Sequence, residues 1–367
     1  MFSLANFEIF AVKLFSCHRA RYEALIRGDS SGPVDRLSRA GLWLGQVPYA
    51  AAMRLRNAAY DAGLFKSIRV PVPVVCIGNL STGGTGKTPT VEWAAGILRA
   101  DDRRPAILSR GYGVEHGPND EAMMLEENLP DVPHLQGRDR VAIAMTAIQE
   151  LESDVLILDD GFQHRRLARD LDLITIDAAR PPHLDHLLPR GTLREQMSSL
   201  RRADALVLTR CDQTSAEAVA ELRRRLGNLV PTLPIAETSH KPQELQGGET
   251  FESLEELRGR PVAIFSGIAR PQAFELTVAD LGAAIIGIRV FPDHHAYARA
   301  DVENLSRWAE AMPAGVLVLT TQKDFVKLRI VELGGKPLRA LRIGLEFRTG
   351  DAELRSLLTN LPRIEDA

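Results

Sequence analysis

From residue 70 onward, short apolar runs alternate with longer segments in which apolar residues recur every three or four positions. Residues 70–77, 106–108, 155–158, 173–176 and 205–208 read as buried strands, because they are short, rich in Val, Ile and Leu, and bounded by polar or glycine-containing turns. Residues 89–98, 141–150 and 215–226 read as helices between or after them. This alternation predicts a doubly wound, mostly parallel sheet covered on both faces, with ligands at the carboxyl ends of its strands. Pro, Gly, Thr and Gln then accumulate over 227–252, marking a link to a second, smaller α/β unit. Strands are expected there at 262–266, 285–291, 316–321 and 341–347, with helices at 272–281 and 301–312. The expected division is 1–69 for N-terminal amphipathic helices, 70–230 for the first α/β domain, and 231–367 for the link and a C-terminal α/β domain.

The strand at 70–77 runs into Gly78-Asn-Leu-Ser-Thr-Gly-Gly-Thr-Gly-Lys-Thr88, and a helix follows. Strand, glycine-rich turn and helix is the arrangement that wraps backbone N–H groups around a nucleotide's phosphates. Ser81, Thr82, Gly83, Gly84, Thr85, Gly86, Lys87 and Thr88 are therefore candidate ATP-binding residues. Lys87 is expected to reach the β- and γ-phosphates, and the Thr88 hydroxyl to sit on Mg²⁺. One position departs from the usual P-loop pattern: Ser81 stands where Gly is normal.

Upstream, Leu37, Leu42, Trp43, Leu44, Val47, Ala51, Met53 and Leu55 mix with Arg36, Arg39, Arg54 and Arg56 at helical spacing, and Pro48 is expected to split the stretch into two helices. That spacing fits a helix packed on the domain. It equally fits one lying in a membrane interface, with Trp43 and Tyr49 at headgroup depth and arginines on phosphates. The chain's formal net charge is −3, which argues against a general nucleic-acid binder. Residues 1–70 nevertheless carry ten Lys/Arg against five Asp/Glu, so a basic N-terminal stretch precedes an acidic body, as an anionic membrane surface would favour. No run of about 18 apolar residues is present, so no membrane span is expected. Glu8 and the lack of a basic start argue against a signal peptide, and a faint lipoprotein-like site at 14–17 is set aside because a nucleotide enzyme works where ATP is. Cys17, Cys76 and Cys211 are widely spaced and form no CxxC, which fits a reducing compartment without structural zinc.

Further chemistry lies at the ends of the expected strands. Asp159 and Asp160 close an apolar strand, where carboxylates hold Mg²⁺ opposite Thr88 or cap the next helix. Arg165, Arg166 and Arg169 follow, facing either phosphates or solvent. Ser-Arg-Gly-Tyr-Gly at 109–113 sits at the ligand edge, and Asn119-Asp120-Glu121 lies in a stretch without periodicity. An Asp-Glu pair is ordinary on a surface, but a carboxylate facing the γ-phosphate accepts the proton of an attacking hydroxyl. Phe-Pro-Asp-His-His at 291–295 follows a strand of the second unit, where a histidine is either structural or tunes a catalytic acid. The loop at 187–195 and Thr-Thr-Gln-Lys-Asp at 320–324 carry little information singly.

Taken together, these stretches resemble the tetraacyldisaccharide 4'-kinase family of lipid A biosynthesis. The resemblance runs from about Leu42 to about Phe347 through GNLSTGGTGKTP, SRGYG, NDE, DDGFQHRRLARD, LLPRGTLRE, RRADALVLT, FSGIARP, FPDHH and TTQKD, in family order. Ser81 is itself expected in this family. The resemblance implies transfer of the ATP γ-phosphate to the 4'-hydroxyl of a tetraacyldisaccharide 1-phosphate, forming lipid IVA. It also implies that the enzyme sits peripherally on the cytoplasmic face of the inner membrane. Lys87 and Thr88 would be the loop lysine and the Mg²⁺-binding threonine, and Asp159 and Asp160 the acidic end that handles the metal. Asp120 would be the catalytic base, His294 the histidine paired with it, and Arg194 and Glu195 residues near a substrate-facing loop. The N-terminal helices would dock on the membrane. Asn119 stands where the family has Gly, and Arg190 and Thr192 where it has Ala and Pro. Two other classes share such a loop. One is a soluble GTPase or ATPase, for which Thr209–Asp212 partly echoes a guanine-reading motif. The other is a membrane-associated ATPase switch of the partitioning type, whose loop carries Lys at the position of Thr82.

Overall fold

The computed structural model describes residues 22, 25, 26, 32–111, 120–268, 270–293 and 295–363, with Asp120 as backbone only. The first part of the sheet contains β1 (Val74–Asn79), β2 (Pro105–Ser109), β3 (His134–Gln136), β4 (Val155–Asp159), β5 (Leu171–Asp177) and β6 (Ala205–Thr209). The second contains β7 (Ile235–Gly247), β8 (Thr250–Glu252), β9 (Pro261–Ser266), β10 (Ala284–Val290), β11 (Leu317–Thr321), β12 (Glu332–Leu333) and β13 (Lys336–Thr349). Among the described residues these strands form one sheet in the order β10-β9-β11-β13-β7-β6-β5-β1-β4-β2-β3, with β8 on β7 and β12 on β13. Pairing is parallel except for β7 with β13, β7 with β8 and β12 with β13.

Period-two alternation decides which face each side chain serves. In β1, Val74 and Cys76 join Leu156, Leu158 and Phe162 in the core on one face. Val75 and Ile77 join Val91, Ala94, Ala95 and Leu98 of α2 (Lys87–Ala100) on the other. Helix α4 (Arg140–Glu150) covers the first face with Ala144 and Ala147. Both faces being covered, every residue of β1, β4, β5 and β6 is buried, which is why these strands read as mostly apolar runs without strict alternation. β1 lies between β4 and β5, both parallel to it, so the strand order reverses at the strand that feeds the glycine-rich turn, and the crevice opens there.

Three expectations need correction. The stretch 227–252, read as a link, contains β7, whose start pairs with β6 and whose remainder pairs with β13, so the sheet continues through it. Its polar residues include exposed Lys241 and Gln243 but also buried Thr238, Ser239 and Gln246, and Pro242 is tolerated because the register shifts beside it, between Arg342 and Ile343. Pro48 does not split the N-terminal stretch, because α1 (Pro33–Asp61) runs through it as one helix. Tertiary contacts outweigh the lost hydrogen bond: Tyr49 Oη donates to the Arg194 carbonyl (2.9 Å), Asn57 Nδ2 to Glu195 (2.8 Å) and Arg54 Nε to Gln196 (3.1 Å), while Arg56 donates to the Gln163 carbonyl. Finally, helix α3 (Asp120–Asn128) occupies the stretch that showed no periodicity. Of it, Ala122 and Leu125 are buried.

Close approach fixes the turn after β4 against β1. A Cβ on Gly78 would lie 2.6 Å from Phe162 Cβ and 3.0 Å from its backbone nitrogen, and Phe162 is fully buried. Gly78→Ala should therefore lower stability by about 1–3 kcal/mol, as overpacking does, read as a shift of the urea midpoint at unchanged slope. A midpoint equal to that of the unchanged protein would show that Phe162 can move away.

Candidate functional site

The glycine-rich loop is held in shape from several sides. Thr85 Oγ1 lies 2.7 Å from Thr175 Oγ1 on β5, which also donates to the Gly78 carbonyl (3.1 Å), while Asn79 Nδ2 donates to Thr85 Oγ1 (2.9 Å). From β6, Thr209 Oγ1 donates to the Thr85 carbonyl (2.8 Å), and Arg210 Nη1 donates to the Gly84 carbonyl (2.8 Å) while pairing with Asp177 (2.5 Å). The far side is closed by the loop at 187–195, where Thr82 N donates to the Thr192 carbonyl (2.7 Å) and Arg194 N to that of Leu80 (2.7 Å). Gly86 takes a left-handed φ of 85° as the residue before α2, and a Cβ there would lie 2.9 Å from Thr209 Cγ2 and 3.0 Å from His240 Nε2. Only glycine fits that turn. The helix N-terminus then presents its first N–H groups to the crevice.

Lys87 is buried, and its Nζ lies 3.6 Å from Asp160 Oδ1. Arg194 Nη1 meets both oxygens of the same carboxylate, at 2.9 and 2.8 Å. Burial by itself would raise Asp160, but Arg194 and Lys87 outweigh it and hold the carboxyl well below the usual carboxylate range. Asp160 also takes a left-handed φ of 53°, a strained conformation for a non-glycine residue and one that turns the chain sharply after β4. Asp159 behaves in the opposite way. Burial, followed by the charge of Glu121 on α3, pushes it up to about 7 against the pull of Lys87. Its Oδ1 is buried without a hydrogen-bond partner. A buried acid with an unpartnered oxygen, close enough to Lys87 to feel its charge, fits a divalent cation. Among the described residues no three or more His, Cys, Asp or Glu cluster as a ready-made metal cage.

Residues 39–362 match the family model described as Tetraacyldisaccharide-1-P 4'-kinase. The chain is 40% identical over 358 residues to the tetraacyldisaccharide 4'-kinase of Anaeromyxobacter sp. (strain K), covering 92% of this chain and 94% of the relative. The chain belongs to the tetraacyldisaccharide-1-P 4'-kinase family. A second relative of the same name, from Syntrophus aciditrophicus, is 38% identical over 328 residues, or 82% of this chain and 87% of that one. Among solved structures, LpxK from Aquifex aeolicus in complex with ATP superposes with a TM-score of 0.70 at 30% identity, over 87% of this chain and 98% of that chain. The P-loop NTPase-like, mostly parallel α/β fold expected from the sequence is thus the fold of this kinase family. Membership decides for a kinase over a GTPase or a partitioning ATPase. In keeping with that, Thr209 and Arg210 of the supposed guanine-reading echo brace the phosphate loop.

The site residues expected from the sequence fall into three groups. Ser81–Thr88, Asp159, Asp160 and Arg194 come together around the crevice. Glu195 does not, because it is buried, with Oε2 accepting from Asn57 (2.8 Å) and Arg202 (2.8 Å). It braces α1 rather than lining the crevice. His294 and the side chain of Asp120 lie outside the described residues, although Asp120 opens α3 beside Glu121. Sequence reasoning missed Thr175, Asp177 and Arg210, which shape the loop from neighbouring strand ends. It also missed Arg140, a buried guanidinium lowered to about 10 by burial and by Arg110, and close enough to Asp159 and Asp160 to feel their charge. Their one signal is position: Thr175 and Asp177 are polar residues toward the end of β5, Arg210 directly follows β6, and Arg140 opens α4.

The raised Asp159 has a consequence for stability. The folded protein keeps a proton that the unfolded chain gives up at its ordinary value of 3.8, so stability falls as pH rises and the loss is complete above about 7. Asp159→Asn lacks this penalty. Without Mg²⁺ its urea midpoint should exceed that of the unchanged protein by a margin that grows between about pH 5 and about pH 8. A margin independent of pH would refute the raised acid.

Proposed function

We propose that this kinase transfers the γ-phosphate of ATP to the 4'-hydroxyl of a tetraacyldisaccharide 1-phosphate, giving lipid IVA. The observation that carries the reading is the braced loop with Lys87 against Asp160, in a chain of this family. Backbone N–H groups of Gly83 to Thr88 cradle the phosphates, and Lys87 stabilises charge on the transferred group, which is the main catalytic task in phosphoryl transfer. Thr88 and Asp159 would hold Mg²⁺, which neutralises charge on the phosphate oxygens when bound. Asp160, expected as a second metal ligand, serves in this reading to keep Lys87 and Arg194 in place, since both cations already lie on its oxygens. Asp120, at the start of α3, takes the proton of the attacking hydroxyl, and His294 orients it and sets its basicity. Residues 70–230 thus hold the donor, and the C-terminal part brings His294 to it.

The purified protein should move label from γ-labelled ATP onto a disaccharide lipid acceptor, and hydrolysis without labelled lipid would reject the reading. Asp120→Ala should lower kcat by about 100-fold or more, with the KM for ATP changed by less than about threefold, because the lost interaction forms only in the transition state. A near-normal kcat would remove Asp120 from the role of base.

We further propose that α1 lies on the membrane surface, at the cytoplasmic face where ATP is present. The helix buries Tyr49 and Met53 toward the body and exposes Leu37, Leu44, Val47 and Leu55 at helical spacing on its opposite side, with Trp43 and Arg36 beside them. A cavity of about 560 Å³ opens between this helix and the loop at 182–197, lined by Val47, Ala51, Leu187 and Met197 among others. No described helix is long and apolar enough to cross a membrane. Replacing Leu37, Leu44, Val47 and Leu55 together by Ser should leave the fold intact and weaken binding to anionic vesicles by about tenfold or more. Unchanged sedimentation with vesicles would refute the surface assignment.

A further inference from the structure

Asp324, in the segment Thr-Thr-Gln-Lys-Asp at 320–324, is fully buried, yet none of the roles above uses it. It lies in the first turn of α8 (Gln322–Leu328), after β11. Its Oδ2 accepts from the Gly267 backbone N–H (2.9 Å) and from Thr321 Oγ1 (2.7 Å). Its Oδ1 makes no hydrogen bond and faces Lys327 Nζ at 3.9 Å, and that ammonium donates to the His295 carbonyl (3.1 Å). The three segments meet tightly. A Cβ on Gly267 would lie 3.0 Å from Asp324 Oδ1 and 3.3 Å from both His295 Cβ and the Pro292 carbonyl oxygen.

The turn at 291–295 is gripped from its other sides as well. The His295 ring stacks on Phe291 (4.8 Å) and meets Tyr297 edge-on (5.0 Å), and its Nε2 lies 3.0 Å from Asp301 Oδ2 on α7 (Arg299–Glu310). Tyr297 in turn feels Asp324, since burial and then that charge push its phenol well above its ordinary value. A buried carboxylate is costly unless it is paired and hydrogen-bonded, so one kept here must hold something in place. What it holds is the loop after β9, through Gly267, and the turn flanking His294, through Lys327.

We infer that Asp324 is a positioning residue for the phosphoryl transfer, fixing through Gly267 and Lys327 the turn that carries His294. This rests on the reading of His294 as the partner of the base. Asp324→Asn keeps an oxygen for Gly267 but removes the charge facing Lys327, and Lys327→Met removes the donor to the His295 carbonyl while leaving Asp324 in place. Each should lower kcat by about tenfold with the KM for ATP within about twofold, and Lys327→Arg, which can still donate, should recover most of the loss. In a His294→Ala background neither substitution should lower kcat further, because residues acting through one group are not additive. Thermal melting separates loss of fold from loss of position, and Lys327→Met carries the test if Asp324→Asn melts early. An equal further drop in the His294→Ala background would overturn the inference by showing a merely structural role. Normal kcat in both single variants, with His294→Ala impaired, would overturn it too. Normal kcat in His294→Ala would instead overturn the underlying reading of His294, and this inference with it.

Discussion

A loop that binds phosphate through its backbone must leave its own N–H groups unspent, so its shape has to be imposed from outside. Here the external supports are hydroxyls and one guanidinium at neighbouring strand ends. Thr175 and Thr209 reach Thr85 from β5 and β6, and Arg210 reaches the Gly84 carbonyl. These groups occupy the Gly84 and Thr85 carbonyls and the Thr85 hydroxyl, and Thr82 N is spent on the Thr192 carbonyl, so the support does not draw on the donors from Gly83 onward. The parallel sheet makes this possible, because it brings the carboxyl ends of β1, β5 and β6 side by side. Gly86 closes the arrangement, since any side chain there would displace Thr209 or His240.

Electrostatics then separates two adjacent acids that the sequence presents as a pair. Asp160 shares Lys87 and Arg194 and stays ionised, while one residue earlier Asp159 is buried beside Glu121 and is driven toward its neutral form. β4 ends at Asp159, and the left-handed backbone at Asp160 turns the chain there, so the two side chains meet different surroundings. One acid thereby lies against two cations of the protein, and the other keeps a buried oxygen without a hydrogen-bond partner. Neighbouring acids at a strand end are thus not interchangeable, and their roles follow from which of them the fold supplies with arginine.

How much of this was legible before the structure depends on how local each signal is. Strands β1, β4, β5 and β6 were readable because burial on both faces leaves an apolar run, and the phosphate loop because its glycines are demanded by backbone geometry. Asp159, Asp160 and Lys87 followed from spacing within those elements. β7 was not legible: it is rich in polar residues, Lys241 and Gln243 are exposed, and it contains Pro242 at a register shift, so its composition imitates a link. α1 was misread at Pro48 because contacts to residues 163 and 194–196, distant in sequence, decide whether the helix continues. Glu195 was expected near a substrate-facing loop, whereas it is buried against Asn57 of a remote helix and Arg202 of a turn seven residues on. In each case the deciding contact lies outside the window in which the residue is read.

The continuity of the sheet through β7 also bears on how donor and acceptor chemistry are brought together. β7 pairs in parallel with β6, whose end braces the phosphate loop, and antiparallel with β13, which carries the pairing on to β11 and β9. A second tie runs through side chains. Gln322 on α8 donates to Asn128 at the end of α3 and to Gln246 on β7 (2.9 Å), and Asn128 donates to Glu92 on α2 (2.8 Å). Burial raises Glu92 to about 7, so this polar chain lies within the core, where its groups must satisfy one another. The helix leaving the phosphate loop, the helix that Asp120 opens and the C-terminal half are therefore bonded through one network. A change in the position of any of the three must strain the other two, which favours their moving as a unit over independent motion of the C-terminal half.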